Sequence, residues 1–552
     1  MQPELPEGYY LENVRTLFDH VERLYGDILA RPQLDFLQQF AALSTDAKKL
    51  YIRLLNRSHD LFRLRKLRYP EIASIPAALA QLEPGGFLRI NPDIENGRLL
   101  SLFTKTELLA FHPERTRLQN HKRSDIEAYL LDQADDDYFT RLRQSDRLLE
   151  VLQKDCYLLC QMLFFGNLNQ SMTDFVLRDL GLNQYESYRI DPKNRPYSRR
   201  LDIEQHWLLH QLDARLQASD PADTDSLNQC FGAIPDNINP DTAAFRKAER
   251  IKYTIARQFE RLGDFDQALT GYHQCQLPPG RERIARILDR QGRTATALEL
   301  CKTIIANPLG EEEAQVVCAL GRRIIQRHKL ALEPVFEQIH SNHSPAQIEL
   351  ELNQQHSVEQ AVVEYFLNLN PANRCYHLEN TLFNGVLGLL IWDAVFAPLS
   401  GAFYHPFQSC PSDFYAHDFV SKRAFQLSQI WDSIHSNGDI YQRVQACWKT
   451  KYGLMNALVN WQALELETIE LALERIEYRH WIIIFKRILR DLGNNRSGFP
   501  DLVLFPAEGN YRLIEVKGPG DSLQKNQQRW MQYFAEHQIP HALARVRWSI
   551  NT

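Results

Sequence analysis

The sequence predicts a multidomain chain, mainly α-helical, that ends in an α/β core. Three observations carry that prediction. The 552 residues are 44% hydrophobic, enough apolar material for several separate cores. Over most of the length, apolar residues recur at helical spacing, and one helical unit is repeated. Only near the C-terminus do short β-prone runs, at 502–505, 511–516 and 542–548, bracket a helical segment.

The formal net charge of −6 excludes a chain that is basic overall, so any nucleic-acid contact has to come from local patches. Nine cysteines are scattered without a Cys-x-x-Cys. Cys156 and Cys160 are spaced as helix neighbours, not as a structural zinc pair. They read as reduced core thiols of a cytosolic protein. No apolar stretch reaches transmembrane length, and the start, MQPELPEGYYLENV, is acidic and unlike a signal peptide. The expectation is a soluble intracellular protein without membrane contact. Its place would be cytoplasmic and nucleoid-associated in a bacterium, or nuclear in a eukaryote.

Residues 1–90 are expected to be a helical, DNA-binding domain. Phe36, Phe40 and Leu43 form one stripe, and Ser44-Thr45-Asp46 supplies an N-cap for the helix after it. That helix is read as continuing from Lys48 to Arg68, with eight basic residues, including Arg57, Arg65 and Lys66, against Asp60 alone. Tyr51, Phe62 and Tyr69 are interleaved. A solvated charged face is the ordinary explanation. The one-signed charge with aromatics favours a surface that contacts phosphates.

Residues 91–175 suggest a second DNA-binding region. Between 98 and 131, Leu99, Leu100, Leu108 and Leu109 make one apolar face; Ile126, Leu130 and Leu131 make another. The pair of short helices is similar to a SAP-type motif, with Lys122 and Arg123 near the second helix's start. A helical stretch is expected at 157–182, within a region that continues as a connector over 176–243. Its end, 218–243, is rich in Asp, Pro, Asn and Ser and reads as loop.

Residues 244–345 carry the repeat. RLGDFDQAL and RQGRTATAL align Gly263 with Gly292 and Ala268 with Ala297. Each is a helix, a Gly turn, and an Ala-Leu pair opening the next helix. This resembles tetratricopeptide-like hairpins, which bind proteins or brace neighbouring domains. Lys252, Arg257, Arg281, Arg283 and Arg286 cluster here. They are either a charged solenoid surface or a cationic pocket for a terminal phosphate.

Residues 355–552 contain the chemistry. HLENTLFNGVLGLLIWDAVF reads as one helix, with Glu379 in its first turn and in line with Leu382, Phe383 and Val386. By composition, Glu379 is a helix-dipole partner or an acid aimed inward. Residues 481–489 are strongly apolar and read as core, and 493–498 is a polar loop. Then Pro500-Asp501 opens the first β-prone run, and 506–510 is a turn cluster before the second. Asp501 lies seven residues before Glu508, and Glu515 seven after it. Symmetric pairing makes the two carboxylates cross-strand neighbours, and alternation puts Lys517 on the face of Glu515. Close like charges are costly unless a cation lies between them, and oxygen ligands select a hard ion such as Mg²⁺ or Mn²⁺. A neighbouring lysine suits orientation of a water at phosphorus. Asp521 or Ser522 is expected to cap the next helix, which carries Leu523, Trp530, Met531 and Phe534. Lys525 and Gln527 near its start are candidate DNA contacts.

The wording PDLVLF…LIEVKGPGDSLQKNQQRWM resembles the VRR-NUC branch of the PD-(D/E)xK nucleases, and within it the Fanconi-associated structure-specific nucleases. The basic stretch at 48–72 is similar to that family's N-terminal domain. The order helix, hairpin, helix, strand matches a restriction-endonuclease-like core. The resemblance implies 5′-flap endonuclease and 5′→3′ exonuclease activity in DNA repair, including interstrand cross-link repair, on DNA with flaps, nicks or branched ends. It implies that Asp501, Glu515 and the Val516 carbonyl hold Mg²⁺ or Mn²⁺, that Glu379 reaches a second ion, and that Lys517 orients the attacking water. Eukaryotic relatives carry a ubiquitin-binding zinc finger, and this sequence lacks the Cys/His spacing for one, so a bacterial-type version is expected. The alternatives are a sequence-specific restriction-type endonuclease and a repeat scaffold with a vestigial site.

Overall fold

Short polar caps start many of the helices. Ser44, Thr242 and Ser357 each accept a backbone N–H from the first turn of the helix that follows. The computed structural model describes residues 8–337 and 345–549, apart from 114, 171, 173, 174, 177, 179, 354 and 355. The acidic start, residues 1–7, lies outside the described residues, as does part of the helical stretch expected at 157–182. The chain forms two compact units, 1–182 with 197–200, and 183–196 with 201–552. Among the described residues no helix is long and apolar enough to cross a membrane.

The first unit is helical around a small sheet. Phe36 and Phe40 are buried as their spacing predicts, and Phe36 packs against Phe18 and Phe87. The basic run is not one helix. Its helix, Thr45–Leu55, stops well short of Arg68. Leu61–Arg63 is then a strand, β1, and Leu64–Lys66 a 3₁₀ turn. β2 (Leu88–Ile90) and β3 (Leu148–Val151) complete an antiparallel sheet in the order β1-β3-β2. Local helical spacing is overridden by pairing with a strand from much later in the sequence. Tyr51 and Phe62 are core side chains, not members of an exposed aromatic stripe. The region read as two helices between 98 and 131 holds four: Asn96–Ser101, Lys105–Ala110, Arg115–Leu118 and Arg123–Gln133. Ile126 and Leu130 are buried, but Leu131 is 51% exposed.

The second unit starts from helical hairpins. The stretch at 218–243 is not all loop, because Asp223 caps a helix over Thr224–Gly232. Ala243–Leu262, Phe265–His273, Gly280–Arg290, Thr294–Ala306 and Glu311–Arg327 then form the repeat. The aligned glycines are its turns: Gly263 has φ 85° and Gly292 φ 77°, where a Cβ would be strained. Ala268 and Ala297 are fully buried, as small residues at the tightest helix contacts should be.

The sheet of the second unit is mixed, in the order β4-β8-β7-β6-β5. β4 is Ala346–Leu352, β5 Arg374–His377, β6 Leu502–Phe505, β7 Arg512–Lys517 and β8 His541–Trp548. β6 and β7 are the expected hairpin, and β8 runs parallel to β7. One face, with Leu502, Ile514 and Ala544, packs on Val362, Val363 and Phe366 of the helix Val358–Leu369. An aromatic ladder runs from Trp481 through Phe383 and Phe499 to Trp530, with ring centroids 5.0, 5.3 and 4.1 Å apart.

The long helix read around Glu379 is two pieces, Thr381–Leu390 and Trp392–Val395. The segment 183–196 packs on the second: Glu186 accepts from Trp392 Nε1 at 2.7 Å, and the Tyr188 ring stacks on its C-cap, Phe396. The second piece is held from the other side by Arg423, which is fully buried. Arg423 donates to the Ala394 carbonyl and forks onto both oxygens of Asp413 at 2.8 and 2.9 Å. Removing one member of such a pair strands the other charge in the core. Arg423→Met should therefore destabilise the second unit by ~3–5 kcal/mol in denaturant unfolding, and Asp413→Asn, which leaves the Arg423 charge unpaired, should cost a similar amount. An unfolding profile equal to wild type would remove this pair from the account.

Candidate metal-dependent active site

The hairpin register makes the site. Leu502 pairs with Ile514, Val503 with Leu513 and Leu504 with Arg512, so the next position along sets Asp501 opposite Glu515. This is the pairing that counting outward from Glu508 anticipates. The Asp501 carboxylate accepts the Val516 N–H at 2.8 Å, which continues the ladder through a side chain. Glu515 is fully buried. Lys517 Nζ lies 2.7 Å from its Oε1, and Oε2 has no hydrogen-bond partner.

Burial pushes the Glu515 carboxyl up to about 7; the Asp501 charge adds to the rise, Lys517 opposes it, and Glu379 adds again. Burial also raises the Asp501 carboxyl, opposed by the Val516 N–H and Lys517 and reinforced by Glu359 and Glu379. Two carboxyls held up chiefly by desolvation, with the Asp501 charge adding to the rise at Glu515, fit a hard divalent cation. Among the described residues no three ligating groups already converge on one point, so a cation would have to draw side chains in. Asp501 and Glu515 would hold it, with the Val516 carbonyl alongside.

Glu379 is not in the first turn of its helix. It sits before the Asn380 N-cap, exposed, with φ 35°. A left-handed non-glycine residue is uncommon and needs support. Here the support is Asp501: its backbone carbonyl accepts the N–H of Leu378 at 3.1 Å and of Glu379 at 3.0 Å. The backbone of Glu379 is thus tied to Asp501 through a stitched turn, not through the helical stripe.

Two contributors are not apparent from the sequence. Glu359, in the first turn of Val358–Leu369, adds negative charge at Asp501. The helix start lies close over the end of β7, since a Cβ on Gly518 would come 3.2 Å from Val358 Cγ2. Its sequence signal, an acid just after a Ser N-cap, is that of an ordinary helix start. Gly498 has φ 86° and a Cβ there would come 2.7 Å from the Asn526 Cβ, so glycine lets the loop close on the helix Lys525–Glu536. That helix begins later than Asp521 or Ser522. Asp521 instead accepts the Gly518 N–H, and Gln524 is the cap. Gln527 accepts from the Gln524 N–H in the capping box, while Lys525 is exposed.

The other basic candidates are placed as follows. Arg57 and Lys66 line a concavity of about 480 Å³ with His59, Tyr69 and Arg98; Arg65 is exposed, and Lys66 lies 3.2 Å from Glu107. Lys122 is the exposed N-cap of its helix, and Arg123 pairs with Glu127. In the repeat each of the five basic candidates already has a carboxylate. Lys252 meets Glu249, Arg257 and Arg283 meet Glu260, Arg281 meets Glu313, and Arg286 meets Glu282. These five do not make an uncompensated cationic cluster.

The chain is similar to known proteins over its whole length. Residues 435–548 match the VRR-NUC domain, and residues 8–89 match the FAN1 HTH domain. The chain is 31% identical to a Fanconi-associated nuclease 1 homolog of Pseudomonas aeruginosa, across 100% of this chain and 98% of that one. It is 24% identical to a homolog from Arabidopsis thaliana, over 98% of this chain and 67% of the relative. A crystal structure of paFAN1 bound to 2-nucleotide 5′-flap DNA with a gap superposes with a TM-score of 0.85 at 30% identity, covering 100% of both chains.

The raised Glu515 carboxyl has a stability consequence. Between its unfolded value of 4.5 and about 7, the folded state keeps a proton that the unfolded state has released. This contribution is fully present below 4.5 and is lost as pH rises through 7. Metal-free protein should lose up to ~3 kcal/mol between pH 5 and pH 8 through this group. Glu515→Gln should flatten that part of the slope in thermal melts. Parallel slopes for wild type and variant would deny the shift.

Proposed function

The chain belongs to the Fanconi-associated nuclease 1 family and is a structure-specific DNA nuclease; from that premise we propose that it cleaves DNA at 5′ flaps and resects 5′→3′, in repair that includes interstrand cross-links. The observation that carries the chemistry is Asp501 set opposite Glu515, with Lys517 Nζ at 2.7 Å. The superposition on a relative bound to 5′-flap DNA supports the substrate class.

Nucleases of this domain family use divalent metals. We assign Mg²⁺ or Mn²⁺, which supplies Lewis acidity and a bound water of lowered pKa. Asp501, Glu515 and the Val516 carbonyl would hold one ion and Glu379 a second. Asp501 also keeps the hairpin end in register through the Val516 N–H. Lys517 neutralises Glu515 at rest, and with the carboxylate engaged its ammonium is free to hold the attacking water or a phosphate oxygen. Burial of Glu515 removes competing water, so these charges act at low dielectric. The exposed Arg57, Arg65 and Lys66 would contact the DNA backbone, as would Lys122 and Lys525.

Labelled 5′-flap, 3′-flap, nicked and blunt duplexes test this directly. Cleavage should favour the 5′ flap, vanish in EDTA and return with Mg²⁺ or Mn²⁺. Blunt-duplex cutting at a fixed sequence, or robust activity in chelator, would contradict the proposal. Glu379→Gln should slow single-turnover cleavage by roughly 10²–10³-fold, from an electrostatic loss of about 3–4 kcal/mol, with little change in DNA affinity. Turnover equal to wild type would take Glu379 out of the site. Reversing Arg57, Arg65 and Lys66 together should lower the log–log salt slope of binding by roughly 0.9 per lost phosphate contact; an unchanged slope assigns them to solvent.

A further inference from the structure

Asn380 occupies the N-cap position of the helix Thr381–Leu390, yet its side chain makes no capping hydrogen bond. Asn is favoured at that position because its carbonyl oxygen caps. Here the amide does something else. Oδ1 accepts the Phe499 N–H at 3.2 Å, and Nδ2 donates to Glu379 Oε1 at 2.8 Å. The amide cannot be turned round, because the Phe499 N–H needs an acceptor; that leaves Nδ2 facing the carboxylate.

Phe499 is a firm anchor. It is 1% exposed, stacked on Phe383 and against Trp530, and two residues before Asp501. The main chain of Asn380 is tied to the same loop. Its carbonyl accepts Asn384 Nδ2 at 2.6 Å, and the same Nδ2 donates to the Arg496 carbonyl at 2.7 Å. Glu379 is itself exposed, and a glutamate there has several rotamers to choose from. Asn380 is the residue that links its carboxylate to the backbone leading into Asp501.

We propose that Asn380 is a positioning residue for the metal centre: it aims the Glu379 carboxylate and sets its distance from Asp501. The proposal rests on the reading that Glu379 is a metal ligand. Outer partners of ligating carboxylates typically matter by 10–100-fold in metal affinity or activity. Asn380→Ala removes both hydrogen bonds. Asn380→Asp keeps the acceptor for Phe499 and hence the loop anchor, but faces Glu379 with a second carboxylate.

The test is Mn²⁺ titration of the metal-free, full-length protein by calorimetry, with thermal melts and cleavage in parallel, for both variants and for Glu379→Gln. Both Asn380 variants should weaken Mn²⁺ binding by ~10-fold or more and raise the Mn²⁺ concentration for half-maximal cleavage by the same factor. The KM for DNA should stay unchanged, and saturating Mn²⁺ should restore most of the rate in Asn380→Ala. If Glu379→Gln weakens Mn²⁺ binding while both Asn380 variants bind as wild type, the inference fails and the reading of Glu379 stands. If none of the three changes Mn²⁺ binding, both fall together. A lowered melting temperature with an unchanged isotherm would reduce Asn380 to a structural part of the helix start.

Discussion

Asp501 ties three separate pieces of chain to one point. Its backbone carbonyl takes two N–H groups from the turn after β5, and its carboxylate takes the Val516 N–H of β7. The strand it precedes, β6, lies between those two strands. Buried polar groups have to be paired, and this residue pairs three donors. The consequence is electrostatic. With Asp501 fixed and Glu515 buried opposite it, two acids share one end of the hairpin, and the Glu379 charge adds to the rise of both. Lys517 offsets part of that charge, and the unpartnered Oε2 of Glu515 marks where positive charge is still wanted.

The hairpin was legible because its information is local. A turn cluster between two β-prone runs fixes the pairing, and pairing fixes which acids meet. The repeat was legible for a similar reason: Gly263 and Gly292 stand where a left-handed turn has to be, each followed by a small residue at a helix crossing. Helical periodicity around Glu379 predicted one helix with this acid in its first turn, and the helix instead starts after it. The spacing is compatible with one continuous helix, and what cuts it short is a carbonyl from far downstream. Nothing near residue 379 encodes that partner. The basic stretch after Leu55 shows the same limit, since Leu61–Arg63 extends only because β3 is there to pair with it. Glu359 was invisible because an acid in a first helical turn is commonplace.

Charge is distributed differently in the two units. In the first, Arg57 and Arg65 stand exposed and Lys66 only partly satisfied, so that surface keeps cationic character despite the net charge of −6. In the repeat, buried carboxylates such as Glu260 and Glu313 take up the arginines. One effect is mechanical. Glu311, at the start of the last repeat helix, meets Arg490 at 3.0 Å and Arg487 at 3.6 Å, and Arg487 lies over the rings of Trp530 and Tyr533. The repeat thereby braces the helix Tyr478–Arg490 and, through Arg487, the helix Lys525–Glu536.

A divalent cation held between Asp501 and Glu515 is what the pairing of these two carboxylates predicts. Crystals soaked in Mn²⁺ and measured at the manganese absorption edge address it most directly. The account predicts an anomalous peak about 2 Å from carboxylate oxygens of both Asp501 and Glu515, with the Val516 carbonyl in the same shell. Manganese bound elsewhere, with Asp501 still accepting from Val516 and Glu515 still paired only to Lys517, would contradict it.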